Sequence, residues 1–547
     1  MNNEAMGQMV PFVRNSDYLR KLALKQRGLN KPVRAIELLR LSLEKAPDDV
    51  KTKLELAKMY ASAHCPALSN RILFTMLDHP MVTADCFYLL AQNFMSMRMD
   101  PLACDCLSMY LQKKPYGIHA GEAVELLELM GKETDGIVTM EDRVNARIFR
   151  VLSSLDGGKP ELAIRQIHRV LALDRRNSGV HALLSFALLG AGDAESALQA
   201  ARKALRYSSR DLRALCAVAV SLHALGMKAA GKCFLSRALE SIEDEEDAQV
   251  ACQTACEMKE HTFVKQLLKD LEQQAPYAVD LLHPLATASF NSGDLEEARR
   301  CWRLILRLNP MDSVARYRLT QANQETLEKE IPYTTQVPLS ETLLRLSMFR
   351  EWMKEGKEQL VKRWTEDSEL SYMLRWGLES MEPGIPQAMI SILSMLEDEK
   401  AKNLLKEILC DAQIGNFIKH TALAALCLMD QKGPFYALIS HRLTIVNVAK
   451  IEEHDNNARA KSLFESVRKR FSKLSEKDCR QMKELCRIAA QNATPMGEHF
   501  RLNGVELAMR RLRGEHDFVR KQTDHRKLNR YAFRIIREYQ KNAMFSF

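Results

Sequence analysis

The chain has 547 residues, 46% hydrophobic and 27% charged, more than one compact core accommodates, so several domains or an extended repeat array are expected. Its 22 Gly and 17 Pro make up about 7% of the chain against a usual ~12%, too few chain breakers for the many turns of a sandwich or barrel. The net charge of +9 is local, since residues 501–547 alone hold 12 Lys/Arg and 5 Asp/Glu, and overall basicity does not argue for nucleic-acid binding by the whole chain.

The N-terminal segment, residues 1–15, has no apolar stretch of signal-peptide length. No run in the chain reaches the ~18 apolar residues of a membrane span. The 13 cysteines are scattered and odd in number, which points to reduced thiols and a cytoplasmic location.

Helical periodicity begins at Ser16. AIELLRLSLEKAPDD places Ala35, Leu39 and Leu43 on one face and closes with Pro47. NSGDLEEARRCWRLILRLNPMD does the same with Ala298, Trp302, Ile305, Leu306 and Pro310. Ala163, Ala197 and Gly231 recur at intervals of 34 residues. Large–small–large triplets precede these helices, as Leu56, Ala57 and Tyr60, and as Leu90, Ala91 and Phe94. Turns separate the two helix types at Gly190–Ala197 and Asn291–Ala298. A small residue lets paired helices approach closely, and the large ones fill the gap to the next pair.

This pattern resembles the tetratricopeptide repeat (TPR), a helical hairpin about 34 residues long. The fold expected is all-α: an α-solenoid of TPR-like hairpins over 16–330, followed by a second, irregular α-helical domain. About eight units are expected, with 116–176 and 244–276 degenerate. The stretch from Gly131 to Arg143 is expected as a loop or a break in the superhelix.

Ile331–Glu341, with two prolines and β-favouring residues, is expected to be the linker between domains. Residues 342–500 read as the irregular helical domain. Ile418, Lys419, Ala422, Ala425 and Leu426 in it resemble the second helix of a HEAT repeat. Thr494–Gly504 is expected as a loop. Residues 501–547 form a basic tail whose last helix carries Leu528, Tyr531, Ile535 and Tyr539 on one face. Lys527, Arg530, Arg534, Arg537 and Lys541 make a basic stripe on another.

The chain lacks a phosphate loop, an HExxH helix and a GxSxG elbow. Gly190-Ala191-Gly192 follows a helix rather than a strand and reads as a repeat turn. Cys252 and Cys256 share a helix face without the further ligands a zinc site needs. The acids of Ser241–Asp247 suit the positive end of a helix. No catalytic residue, metal or cofactor is expected, and the chain reads as a non-enzyme.

The resemblance implies protein–protein contact through a concave groove lined by the first helix of each hairpin. Carried over by position, that lining is Tyr88, Gln92 and Met95; Phe186 and Leu189; Arg213, Val220 and His223; and His283 and Phe290. The same residues also suit ordinary packing between helices. The family's carboxylate-clamping variant is not matched, since Ala182, Phe186, Cys216 and Val220 stand at comparable positions. The function expected is a scaffold or adaptor for a protein or peptide partner. The alternative is a nucleic-acid-associated regulator acting through the basic stripe, which also suits acidic protein or an anionic membrane surface, and a remote one is an enzyme with an unrecognised site in 342–500. The sequence leaves the oligomeric state open.

Overall fold

The computed structural model describes residues 15–77, 79, 82–131, 147–148, 151, 155, 160–382, 384–429, 431, 433–446, 460–471, 474–491, 497–513, 528 and 531–536. The chain divides into two compact units, one of residues 1–425 with 438–443, the other of 426–437 with 444–547. The expected N-terminal segment, apart from Asn15, and the expected break at 132–143 lie outside the described residues.

The first unit opens with antiparallel helix pairs. These are α1 (Ser16–Gly28) with α2 (Pro32–Lys45), α3 (Val50–Ser62) with α4 (Pro66–Phe74), and α5 (Thr83–Ser96) with α6 (Asp100–Lys113). α7 (Ala120–Gly131) packs on α6, and α8 (Pro160–Leu171) packs on α9 (Ser178–Gly190). α9 pairs with α10 (Ala194–Tyr207), α11 (Leu212–Ala224) with α12 (Lys228–Leu239), α13 (Glu245–Glu257) with α14 (His261–Gln274), and α15 (Val279–Asn291) with α16 (Leu295–Leu308). α17 (Ser313–Asn323) closes the row against α16. The all-α solenoid expected from the repeat is the observed architecture, and the degenerate stretch 244–276 still forms a regular hairpin.

Local chemistry explains the helix ends. Asn15, Asp49, Asn177, Asp211 and Asp312 precede α1, α3, α9, α11 and α17, and each side-chain oxygen accepts an amide of the first turn. Asp244 caps α13 in the same way, which uses one acid of the Ser241–Asp247 run. Within each hairpin one turn residue takes the left-handed conformation. It is glycine in three of them, Gly192, Gly226 and Gly293. In four others it is Asn30, His64, Arg98 or Lys259, at φ +55° to +57°.

Packing follows the small residues. Ala35, Ala103, Ala163, Ala197 and Ala298 are fully buried. A Cβ added to Gly231 would stand 2.8 Å from the backbone oxygen of Ala219, so α12 and α11 approach backbone to backbone there.

The array closes on itself. One apolar core joins Leu19, Ile36, Leu39 and Tyr60 to Leu282, Trp302, Ile305 and Leu308. Arg40 Nη1 donates to the carbonyl of Leu308 (3.0 Å) and Nη2 to that of Arg307. The Tyr60 hydroxyl also donates to Leu308 O (2.9 Å). These are end-of-helix carbonyls of α16, which need partners and favour a cation. Arg307 pairs in turn with Glu37 (2.7 Å), and Cys65 Sγ donates to Tyr277 O (3.1 Å).

Residues 324–338 form neither helix nor strand beyond the end of α17. They lead into α18 (Leu339–Lys354), α19 (Lys357–Glu366), α20 (Ser368–Leu378), α21 (Gly384–Leu396), α22 (Glu399–Leu409) and α23 (Asn416–Leu428). The division expected at 331–341 falls instead near residue 425. The prolines do stop helix formation, but Ile331 and Val337 are buried. Arg71 of α4 bonds to Glu379 (2.6 Å) with Asp411 at 3.6 Å, and Arg316 lies 3.9 Å over the Tyr372 ring. These contacts hold the later helices in the same unit as the array.

A two-stranded hairpin, β1 (Phe435–Ile439) and β2 (Arg442–Val446), interrupts the helices. Ser440 and His441 both have positive φ, the requirement of a type I′ turn between twisted strands. Arg442 forms a two-pronged pair with Asp105 of α6 (2.6 and 2.8 Å).

The second unit contains a helical stretch at 460–468, α24 (Glu476–Gln491) and α25 (Gly497–Leu512). The loop expected over Thr494–Gly504 is therefore helical from Gly497. Its core gathers Met482, Leu485, Val505, Met509, Leu528, Tyr531 and Ile535, so three of the four apolar residues read in the tail are packed, and Tyr539 lies outside the described residues. Tyr531 lies where a Cβ on Gly504 would be, 2.4 Å from its ring.

Candidate functional site

The array borders an open cavity of about 1030 Å³, at the upper end of the ≈ 300–1,000 Å³ usual for ligand sites. One wall comes from the α3–α4 and α5–α6 turns, with His64, Pro66, Met97 and Arg98. The opposite wall comes from α13, α14 and α15, with Cys252, Cys256, Leu268, Leu271 and Leu281. Glu330, Ile331, Pro332 and Tyr333 run along one edge.

Three of the four non-glycine turn residues reach this cavity: His64, Arg98 and Lys259. A left-handed non-glycine residue costs roughly 1–2 kcal/mol against the ordinary conformation, and glycine would avoid that cost. Three hairpins bordering the cavity thus carry a basic residue at the turn, where α9–α10, α11–α12 and α15–α16 use glycine and α1–α2 uses Asn30. Carboxylates are present too, as Glu257 and Asp280, so the lining is amphipathic rather than uniformly cationic.

The edge segment is held by a specific set of bonds. Asn291, at the end of α15, donates from Nδ2 to Ile331 O (2.8 Å), and its Oδ1 accepts from Ile331 N (2.9 Å). Lys259 pairs with Glu330 (2.8 Å), and this cation holds the Glu330 carboxyl below its usual range. His261 Nδ1 lies 2.9 Å from the Tyr333 hydroxyl, and burial pushes that phenol's pKa up. Cys252 and Cys256 face each other one helical turn apart. The thiol of Cys256 supports the Cys252 sulfur, which holds Cys252 below and Cys256 above the ordinary thiol value.

None of the ten groove residues expected from the sequence lines this cavity. Tyr88 is buried, stacked on His119 at 3.9 Å, and accepts a bond from Gln92. Val220 is buried in the core, and Phe186 packs with Leu205 and Phe234 between hairpins. Phe290 lies against Trp302, ring centres 6.4 Å apart. His283 is taken up by Asp312 (3.0 Å). Leu189 and Met95 are half-buried, His223 is half-buried with Nδ1 enclosed, and Gln92 and Arg213 are exposed. Sequence reasoning missed His64, Arg98, Lys259, His261 and Asn291. Aligning the hairpin turns on Gly192, Gly226 and Gly293 would have singled out the first three.

Of the basic stripe, only Arg534 is described, exposed beside buried Ala532 and Ile535. Lys527, Arg530, Arg537 and Lys541 lie outside the described residues. Among the described residues no helix is long and apolar enough to cross a membrane, and no group of three or more His, Cys, Asp or Glu could hold a metal ion.

No family model matches the chain. A curated relative, the TPR repeat-containing protein YvcD of Bacillus subtilis (strain 168), is 24% identical over 213 residues, 38% of this chain and 44% of that protein. The match therefore spans less than half of the relative's length. Among solved structures, the Cut9–Hcn1 hetero-tetramer of the APC/C is matched at 11% identity over 76% of this chain and 97% of that one, with a TM-score of 0.29. The TPR domain of P58(IPK) is matched at 13% identity over 56% and 97%, with a TM-score of 0.24. Such low scores add nothing to the hairpin geometry itself. By that geometry, and by the curated relative, the chain is a TPR-like helical-repeat protein.

Proposed function

We propose that the protein is a non-catalytic interaction scaffold whose closed array holds an extended segment of a protein partner in the central cavity. The observation that carries this is the cavity itself, bordered by α13, α14 and α15 and edged by His64, Arg98 and Lys259 at turns where glycine would be less strained. Apolar Leu268, Leu271 and Leu281 suit side chains of a peptide, and the rim cations and carboxylates suit its backbone and charged groups. Glu257 and Asp280 in the same lining disfavour a phosphate backbone. The groove expected from family position stays part of the proposal at Gln92, Met95, Leu189, Arg213 and His223, which are not fully packed away.

The test is affinity capture with the full chain and with an Arg98→Glu, Lys259→Glu variant. Protein partners retained by the native chain and lost by the variant support the proposal. Equal capture by both removes the cavity from it. Retention on heparin that survives these changes and disappears with Arg534→Glu would favour the tail as a nucleic-acid contact instead.

A further inference from the structure

Glu330–Tyr333 sits in the molecule as a bound peptide would. It has no helical or strand pairing of its own. The side-chain amide of Asn291 satisfies both backbone groups of Ile331 at once, its donor and acceptor standing side by side. That contact reads the main chain and not its sequence. Specificity comes from the side chains. Ile331 is 1% exposed and joins the core shared by the two sides of the array. Glu330 meets Lys259 and lies 3.5 Å from His261, and Tyr333 meets His261. Lys259 stands in the α13–α14 turn and His261 opens α14, whereas Asn291 ends α15, so the segment bridges two neighbouring repeats.

We infer that this strap is a ligand held in cis, and that its seat is a binding site for an extended segment of another protein. The sequence of that segment would place an acidic residue directly before a buried aliphatic one, with an aromatic two positions later. The inference rests on the scaffold reading above and names the chemistry of its partner. The strap is tied to α17 and α18 at its ends, so its effective concentration at the seat is on the order of millimolar. It therefore blocks weak competitors and yields to strong ones. When it lifts, Asn291, Lys259 and His261 lose their partners from the strap, and the cavity loses one edge.

The probe is a fluorescein-labelled peptide of residues 326–337, followed by fluorescence anisotropy with the full-length protein. The native chain is expected to bind it at least tenfold more weakly than a chain carrying Ile331→Asp and Tyr333→Ala, whose strap is released. Adding Asn291→Ala to the released chain is expected to weaken binding tenfold or more. If the double variant does not fold, replacing residues 328–335 by a Gly/Ser stretch of equal length releases the seat without a buried charge. A released chain with native circular dichroism that ignores the peptide, or one that binds it equally well with Asn291→Ala, overturns the inference. A released chain that ignores the peptide yet captures protein partners through Arg98 and Lys259 leaves the scaffold reading standing. Loss of both ends both.

Discussion

Two sets of hairpins share one backbone and differ in what their turns carry. In α9–α10, α11–α12 and α15–α16 the left-handed turn residue is glycine, and the small residues Ala197, Gly231 and Ala298 stand at the repeat spacing. In α3–α4, α5–α6 and α13–α14 the same turn is made by His64, Arg98 and Lys259, and the repeat is hardest to see in the last of these. The first set is built for packing. The second gives up an unstrained turn, and all three of its turn residues line the cavity, which α15 of the first set also borders. On the proposed reading, these three departures from a glycine turn lie where the partner segment would sit, as expected when function outweighs local preference.

Substitutions should divide along the same line. Trp302→Ala, in the packing set, removes a fully buried indole from the core shared across the seam. It should cost about 3–5 kcal/mol in denaturant unfolding, and a loss below ~1 kcal/mol would mean the seam is loosely packed. Gly231→Ala forces a methyl against backbone atoms of α11 and should cost about 1–3 kcal/mol. An unchanged unfolding midpoint would show that the helices can separate freely.

A smaller effect is pH-dependent. Burial alone would raise the Asp312 carboxyl, but His283 and the amides of Val314 and Ala315 outweigh it and hold it below the usual value. A depressed carboxylate adds stability above its unfolded value, near 3.9, and loses it as pH falls through the lower folded value. Asp312→Asn should therefore cost about 1 kcal/mol at neutral pH, and the gap should narrow below about pH 4. A gap constant from pH 7 to pH 3 would contradict the His283 pairing.

The smallest stability effect belongs to the cavity set. Arg98→Gly relieves a left-handed arginine while adding chain entropy, so it should be neutral to about 1 kcal/mol stabilising. Peptide or partner binding should nonetheless fall. Lower stability with unchanged binding would reverse the roles given to the two sets.

The sequence made the packing set legible and hid the rest for physical reasons. Ala35, Ala197 and Ala298 recur because close helix approach admits few residue types, so the solenoid could be read. Arg40 and Tyr60 close it by donating to backbone carbonyls of Arg307 and Leu308, and a carbonyl leaves no trace in residue identity. Asn291 likewise holds the backbone of Ile331, so the strap looked like a plain linker. Tyr88, Phe186 and Phe290 were placed on the right helices, yet their size drew them into packing between repeats. The hairpin at Phe435–Val446 depended on left-handed Ser440 and His441, residue types that do not announce a type I′ turn.

Pulsed-dipolar distance measurement between spin labels carried by unnatural amino acids at exposed positions 41 and 303 reads the closure of the array directly. α2 and α16 are neighbours, and packed helices lie about 8–10 Å apart axis to axis. A narrow distribution short of ~35 Å is therefore predicted, broadening when Arg40→Ala removes the seam bonds. An unclosed row of more than a dozen helix steps would reach on the order of 100 Å. A broad or undetectably long distance in the native chain would mean that the array does not close.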